Sequence, residues 1–133
     1  MAKTILIADD EPDVVRMLAR RLKAYGYEVI AAFDGIRAVK QANEAKPDLI
    51  ILDIKMPGLD GYTVFKNLKM SVYAAFIPVI FLSALPPSQV EREAAQLGAD
   101  GFIPKPYEPG EVIAKVKKIL GEWTYSYNNA KIS

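Results

Sequence analysis

The run ILIADDEPDVV, Ile5 to Val15, carries an apolar stretch that stops abruptly at two adjacent aspartates, Asp9 and Asp10. An unbroken apolar run is the pattern of a strand covered on both faces, as in a parallel sheet. Pro12 suits the first turn of a helix, where a missing N–H is no loss. Beyond it Val14, Leu18 and Leu22 step by four, with Arg16, Arg20 and Lys23 outside that stripe. The unit therefore reads strand, acidic turn, helix. Two like charges side by side cost free energy, so their position at the end of a buried strand needs a reason beyond a solvated turn.

The same unit recurs along the chain. Strands are predicted at 4–8 (TILIA), 28–32 (EVIAA), 49–52 (LIIL), 79–82 (VIFL) and 101–103 (GFI), each followed by a segment of helical period. Asp34-Gly35, Asp60-Gly61 and Ser88 with Glu91 three positions on predict helix starts. Asp48 and Asp100 read as turn residues ahead of strands. In the last helix Val112, Val116 and Ile119 form the apolar stripe, with Lys115, Lys117 and Lys118 opposite. Alternating strands and helices imply a parallel sheet with right-handed crossovers. The predicted fold is α/β: a flavodoxin-like, doubly wound five-stranded parallel sheet, order 2-1-3-4-5, with five helices in three α/β/α layers. In that fold, ligands sit outside the carboxyl ends of the strands, at the point where the strand order reverses. Asp9, Asp10, Asp53, Ser83 and Lys105 all fall at that edge.

Composition limits the chemistry available there. The 133 residues suit one domain; 51% are apolar, 25% are charged and the formal net charge is +1. Such a balance gives no electrostatic argument for nucleic acid or an anionic membrane. No apolar stretch approaches the roughly 20 residues of a membrane span, nor does the N-terminus read as a signal peptide, so a cytoplasmic location is expected. The chain has neither Cys nor His. Disulfides, thiolate or imidazole zinc sites and Ser-His or Cys-His nucleophiles are thereby excluded. No GxxxxGK[ST] or GxGxxG phosphate loop occurs. Carboxylate, lysine, hydroxyl and a hard metal remain.

Three carboxylates at one edge would repel by about 3 kcal/mol per pair, at roughly 5 Å and an effective dielectric of about 20. Protonation or a cation relieves this, and an all-oxygen set suits Mg²⁺, with Mn²⁺ as a substitute. Lys105 would offset a further charge. A carboxylate so placed can act as a nucleophile toward phosphorus, and Asp53, alone at the end of the central strand, is the candidate.

The segments ILIADDEP, LIILDIKMPGLDGY, VIFLSA and GADGFIPKP, in this order and spacing, resemble the four signature blocks of bacterial response-regulator receiver domains, including chemotaxis regulators. The resemblance runs from about Lys3 to Leu120. It implies Asp53 as the phosphoacceptor, with Lys105 and Ser83 as the assisting groups. It implies a metal site of Asp10, Asp53, the Lys55 backbone carbonyl and, through water, Asp9. It further implies Ser83 and Phe102 as switch residues and a cis peptide at Lys105–Pro106. A sensor histidine kinase or histidine phosphotransfer protein would supply the phosphoryl group. The surface of the fourth helix, fifth strand and fifth helix, roughly 86 to 120, would control an output protein or domain, as a monomer or a phosphorylation-dependent dimer. No direct contact with nucleic acid or membrane is expected, and the role is signalling rather than enzymatic. The domain is expected over 1–121, with 122–133 as a helix extension or tail that holds Trp123, Tyr125 and Tyr127. One alternative is a Mg²⁺-dependent phosphohydrolase with an aspartyl-phosphate intermediate, although Lys55 stands where such enzymes place a second carboxylate. A flavin-binding domain of the same fold needs a hydroxyl- and glycine-rich loop where this chain has DDEP. The receiver half of a larger DNA-binding regulator keeps the chemistry and changes the setting.

Overall fold

The computed structural model describes residues 2–121. Strands and helices alternate: β1 (Thr4–Ala8), α1 (Pro12–Ala24), β2 (Glu28–Ala32), α2 (Gly35–Ala45), β3 (Leu49–Asp53), α3 (Gly61–Lys69), β4 (Val79–Ser83), α4 (Pro87–Leu97), β5 (Gly101–Pro104) and α5 (Pro109–Ile119). All four strand pairings are parallel, in the order β2-β1-β3-β4-β5. Three strands run one residue past their predicted ends. Neighbours continue the ladder there, with Asp53 opposite Leu82 and Ser83 opposite Pro104. The extra rung holds Asp53 and Ser83 in the sheet rather than in loops.

Side chains alternate across the sheet, and each face receives its own helices. Leu6, Ile50, Leu52 and Phe81 pack with residues of α2, α3 and α4, such as Ala38, Phe65 and Val90. Ile5, Ile7, Ile51 and Leu82 point the other way, onto Leu18 and Leu22 of α1 and Val112 and Val116 of α5. Both faces of β1, β3 and β4 are thus covered, which is why these strands read as continuous apolar runs. In α1 the inward stripe is Val15, Leu18 and Leu22. Val14, expected in that stripe, is only partly buried.

Most helix starts follow the expected caps. Asp34 accepts from the Arg37 N–H at 2.8 Å and Asp60 from the Thr63 N–H at 3.0 Å. The Ser88–Glu91 start is corrected: α4 begins two residues earlier than a Ser88 cap implies, at Pro87, with Pro86 at the cap position and no side-chain cap. Prolines need no capped N–H and already have the φ of a first turn. Asp48 and Asp100 clip the amino edge of the sheet, accepting from the Thr4 and Val79 N–H groups at 2.8 and 2.9 Å.

Gly61 decides how closely α3 follows β3. A Cβ there would lie 2.6 Å from both the Asp53 carbonyl oxygen and the Ile54 Cα. Both are backbone atoms that no side-chain rotation can move. Gly61→Ala is therefore expected to destabilise the fold by about 1–3 kcal/mol, the usual range for overpacking, read as a lower urea midpoint. An unchanged midpoint would show that the two segments are not locked together.

Candidate functional site

Pairing of β1 with β3, in the register Ala8 to Leu52, brings the next residues, Asp9 and Asp53, side by side at the carboxyl edge. The Asp9 N–H donates to the Ala32 carbonyl at 3.1 Å, tying the strand end to β2. Asp9 is fully buried and Asp53 is 4% exposed, while Asp10 faces solvent. One carboxylate oxygen from each of Asp9, Asp10 and Asp53 lies within 4.8 Å of the others. At that separation each charged pair repels by about 3 kcal/mol at an effective dielectric of about 20.

Lys105 enters this cluster from β5. Its N–H donates to the Ser83 carbonyl at 2.7 Å, extending the β4–β5 ladder, and the Lys105–Pro106 bond is cis. Its ammonium donates to Asp53 Oδ2 at 3.1 Å, with Asp9 Oδ2 at 3.6 Å and Glu11 Oε1 at 3.9 Å. Asp53 Oδ1 accepts from the Lys55 N–H at 3.3 Å, and Ser83 Oγ from the Leu85 N–H at 2.9 Å. Phe102 stands beside Phe81 in the adjoining strand, partly buried on the face that packs α2, α3 and α4. The structure thus gathers Asp9, Asp10, Asp53 and Lys105 into one crevice. Ser83 lies at the end of the neighbouring strand, and Phe102 further back in β5.

Electrostatics here are unequal. Burial, then the charge of Asp9, push the Asp53 carboxyl up to about 6, against the opposing pull of Lys105. Burial on its own would lower the Lys105 ammonium; Asp53, Asp9 and Glu11 outweigh it and hold the lysine above its usual value. One lysine does not balance the cluster. Asp9 Oδ2 is buried and has no hydrogen-bond partner, a costly arrangement unless something else meets that oxygen. An incompletely satisfied, all-oxygen donor set of this size fits a hard divalent cation.

Two residues of this neighbourhood were not singled out in the sequence. Glu11 brings a fourth carboxylate toward Lys105, and its place directly after Asp10 was the available signal. Tyr107 has a buried hydroxyl without a hydrogen-bond partner. Burial, then Asp9, Asp53 and Glu11, push that phenol up to about 12. Its aromatic ring reads simply as core in a sequence.

Fold and site together define a class: a doubly wound α/β domain with an aspartate trio and a lysine at its switch point. The chain belongs to the response regulator receiver domain family, whose family model matches residues 5–117. Receiver domains are signalling domains rather than conventional enzymes. The alkaline phosphatase synthesis transcriptional regulatory protein PhoP of Bacillus subtilis is 42% identical over 120 residues, which are 90% of this chain and 49% of PhoP. The chain therefore spans about half the length of such curated relatives. Among solved structures, the chemotaxis protein CheY4 of Vibrio cholerae superposes with a TM-score of 0.82 at 29% identity, covering 89% of this chain and 98% of that one. The receiver domain of the sensor histidine kinase PA1611 from Pseudomonas aeruginosa gives a TM-score of 0.82 at 26% identity, with 91% and 99% coverage. That crystal structure carries a magnesium ion in its active-site cleft. Among the described residues no helix is long and apolar enough to cross a membrane.

The raised Asp53 value has a stability consequence. The contribution from protonated Asp53 is fully present below the ordinary value of 3.8 and is lost as the pH rises through about 6. Asp53→Asn, which never ionises, is expected to be the more stable protein in EDTA at pH 7.5, by at most about 3 kcal/mol at 1.36 kcal/mol per unit. The advantage should vanish near pH 4. Urea unfolding of both proteins at the two pH values reads this directly; a gap that is independent of pH would contradict it.

Proposed function

We propose that Asp53 accepts a phosphoryl group and that the domain works as a phosphorylation-controlled switch. The observation that carries this reading is the Lys105 ammonium 3.1 Å from an Asp53 carboxylate that burial, and then Asp9, have made unusually basic. A carboxylate of that basicity, still ionised at neutral pH, is a competent nucleophile. Its oxygen attacks phosphorus and an O–P bond forms. The P–N bond of a phosphohistidine donor breaks, and its electron pair leaves with the imidazole nitrogen, which takes up a proton. The reverse fate, hydrolysis, needs water to attack the same phosphorus and the carboxylate to leave.

The other residues then acquire roles. Asp9, Asp10, Asp53 and the Lys55 backbone carbonyl would hold Mg²⁺, or Mn²⁺ in its place. The ion would supply charge neutralisation for the carboxylates and the incoming phosphoryl oxygens. Lys105, 3.1 Å from Asp53 and 3.6 Å from Asp9, offsets a further charge. The Ser83 oxygen accepts from the Leu85 N–H, which leaves its own O–H to donate to a phosphoryl oxygen. Phe102 and Ser83 sit on β5 and β4, so a move toward the phosphoryl group would reach the surface of α4, β5 and α5. We assign the donor to a sensor histidine kinase or histidine phosphotransfer protein, which places the domain in the cytoplasm. Autodephosphorylation belongs to the same proposal, as does the domain boundary near residue 121.

A second setting has its own support. PhoP is a transcriptional regulatory protein and about twice as long as this chain, so the output is well explained as a DNA-binding domain joined to this receiver. The phosphohydrolase reading is less well supported, because the exposed residue two after Asp53 is Lys55, not an acid.

Incubation with acetyl phosphate and Mg²⁺, followed by intact-mass measurement, tests the proposal. Wild type should gain one phosphoryl group and Asp53→Ala none, with the gain abolished by EDTA. A gain that persists in Asp53→Ala would overturn Asp53 as the acceptor.

A further inference from the structure

Among the described residues, the three most exposed large apolar side chains fall in one turn. Phe76 is 95% exposed, Val72 88% and Met70 85%, with Tyr73 beside them at 62%. The turn joins α3 to β4, so it lies at the amino edge of the sheet, opposite the acidic crevice. Single apolar residues scattered over a surface need no explanation; four large ones within seven positions do.

Their outward direction is built into the turn. Ala74 and Ile77 are buried in the apolar layer that packs α2, α3 and α4, and Val72, Tyr73 and Phe76 between and before them face away. Ser71 Oγ accepts from the Tyr73 and Ala74 N–H groups at 3.2 and 3.3 Å. The Ser71 hydroxyl itself donates to the Asn43 side chain on α2, and Lys69 Nζ donates to the Ala75 carbonyl at 2.9 Å. The apolar side chains therefore stand clear of the protein on a pinned backbone.

Three lysines border them. Lys46 Nζ lies 4.4 Å from the centre of the Tyr73 ring. Lys66 and Lys69 edge a cleft of about 310 Å³ that Phe65, Met70 and Leu97 complete. Asp48 and Asp100 lie at the same edge of the sheet, but each has a carboxylate oxygen tied to a strand N–H, of Thr4 and of Val79. The net charge of +1 gives no argument for an anionic surface when the chain is taken as a whole. The fold gives a local one, by setting cations around an apolar turn.

We propose that this turn docks on an anionic lipid bilayer. Phe76, Val72 and Met70 enter the boundary between headgroups and acyl chains, and Tyr73 lies at headgroup level with its hydroxyl in water. Lys46, Lys66 and Lys69 lay their stems along the apolar surface and meet lipid phosphates with their ammonium groups. A protein partner fits less well. Even at roughly 200 Å² apiece, the size of an aromatic side chain, four side chains exposed to this degree fall short of the roughly 800 Å² per partner of a stable protein interface. A bilayer needs no matching shape, and its hold grows with apolar area and opposite charge alone. The five residues of β4 span about 16 Å, so a domain docked by this turn holds Ser83 and the acidic crevice away from the lipid. An anionic surface repels that crevice, which favours the same orientation.

Sedimentation of the full chain with vesicles, at millimolar lipid and low ionic strength, tests the proposal. Wild type should bind vesicles of phosphatidylcholine and phosphatidylglycerol in equal parts, bind pure phosphatidylcholine far less, and be released by added KCl. Phe76→Ser and Val72→Ser replace exposed side chains and should leave the far-UV circular dichroism unchanged. Each is expected to lower the binding constant by about three- to tenfold. Lys46→Gln and Lys66→Gln should each lower it by about fivefold at low salt. Lys118→Gln, which removes the same charge from α5, is the control and should change it little. Absence of binding to the phosphatidylglycerol vesicles would overturn the proposal and leave the turn to a protein partner. Binding that is indifferent to Phe76→Ser, or that Lys118→Gln weakens as much as Lys46→Gln does, would overturn it equally, since either would mean diffuse attraction of lysines rather than docking by this turn.

Discussion

Everything at the functional edge follows from one imbalance: three carboxylates drawn within 4.8 Å of one another against a single lysine. The sheet imposes it. β1 and β3 are hydrogen-bonded neighbours in a fixed register, so the residues that follow Ala8 and Leu52 must meet, whatever their charge. A folded chain accepts such repulsion only when the fold's remaining burial is large enough to hold the strands together. Here that burial is supplied by two apolar layers, one on each face of the sheet. The strain is local, and the site gains from it: a basic Asp53, an unsatisfied Asp9 oxygen and a lysine held close to both.

Much of this was legible in the residues. Apolar strands covered on both faces announce themselves by continuous runs such as TILIA and LIIL, and strict alternation of strand and helix leaves few topologies open. Once that order is set, the strand ends align Asp9, Asp53, Ser83 and Lys105 at one edge before any coordinate is known. The Asp34 and Asp60 caps were equally plain, because a short acid ahead of glycine at a helix start has few other uses.

What escaped the sequence was decided by tertiary contacts. Ser88 and Glu91 have the spacing of a capping box, yet Pro86 and Pro87 start α4 without one. Val14 and Val15 are equivalent by type, and only the angle at which α1 meets the sheet makes Val15 the inward residue. Tyr107 joins the acidic neighbourhood through loop geometry that no local pattern encodes, and only its place directly after Asp10 marks Glu11. The outward-facing apolar turn between α3 and β4 was hidden for the same reason: by residue type alone nothing distinguishes Met70, Val72, Tyr73 and Phe76 from core, and the fold leaves them exposed. The expected helix extension or tail at 122–133 lies outside the described residues.

The account rests on the aspartate trio being a shared cation site rather than three independent acids. Thermal unfolding of wild type and Asp10→Asn at pH 7.5, titrated with MgCl₂ at constant ionic strength, examines that directly. A cation bound only by the folded state stabilises it progressively, by about 3 kcal/mol at a hundredfold excess over Kd. Wild type should therefore show a saturable rise in melting temperature, and Asp10→Asn a much weaker one at the same concentrations. Equal responses in the two proteins, or none in wild type, would contradict the account.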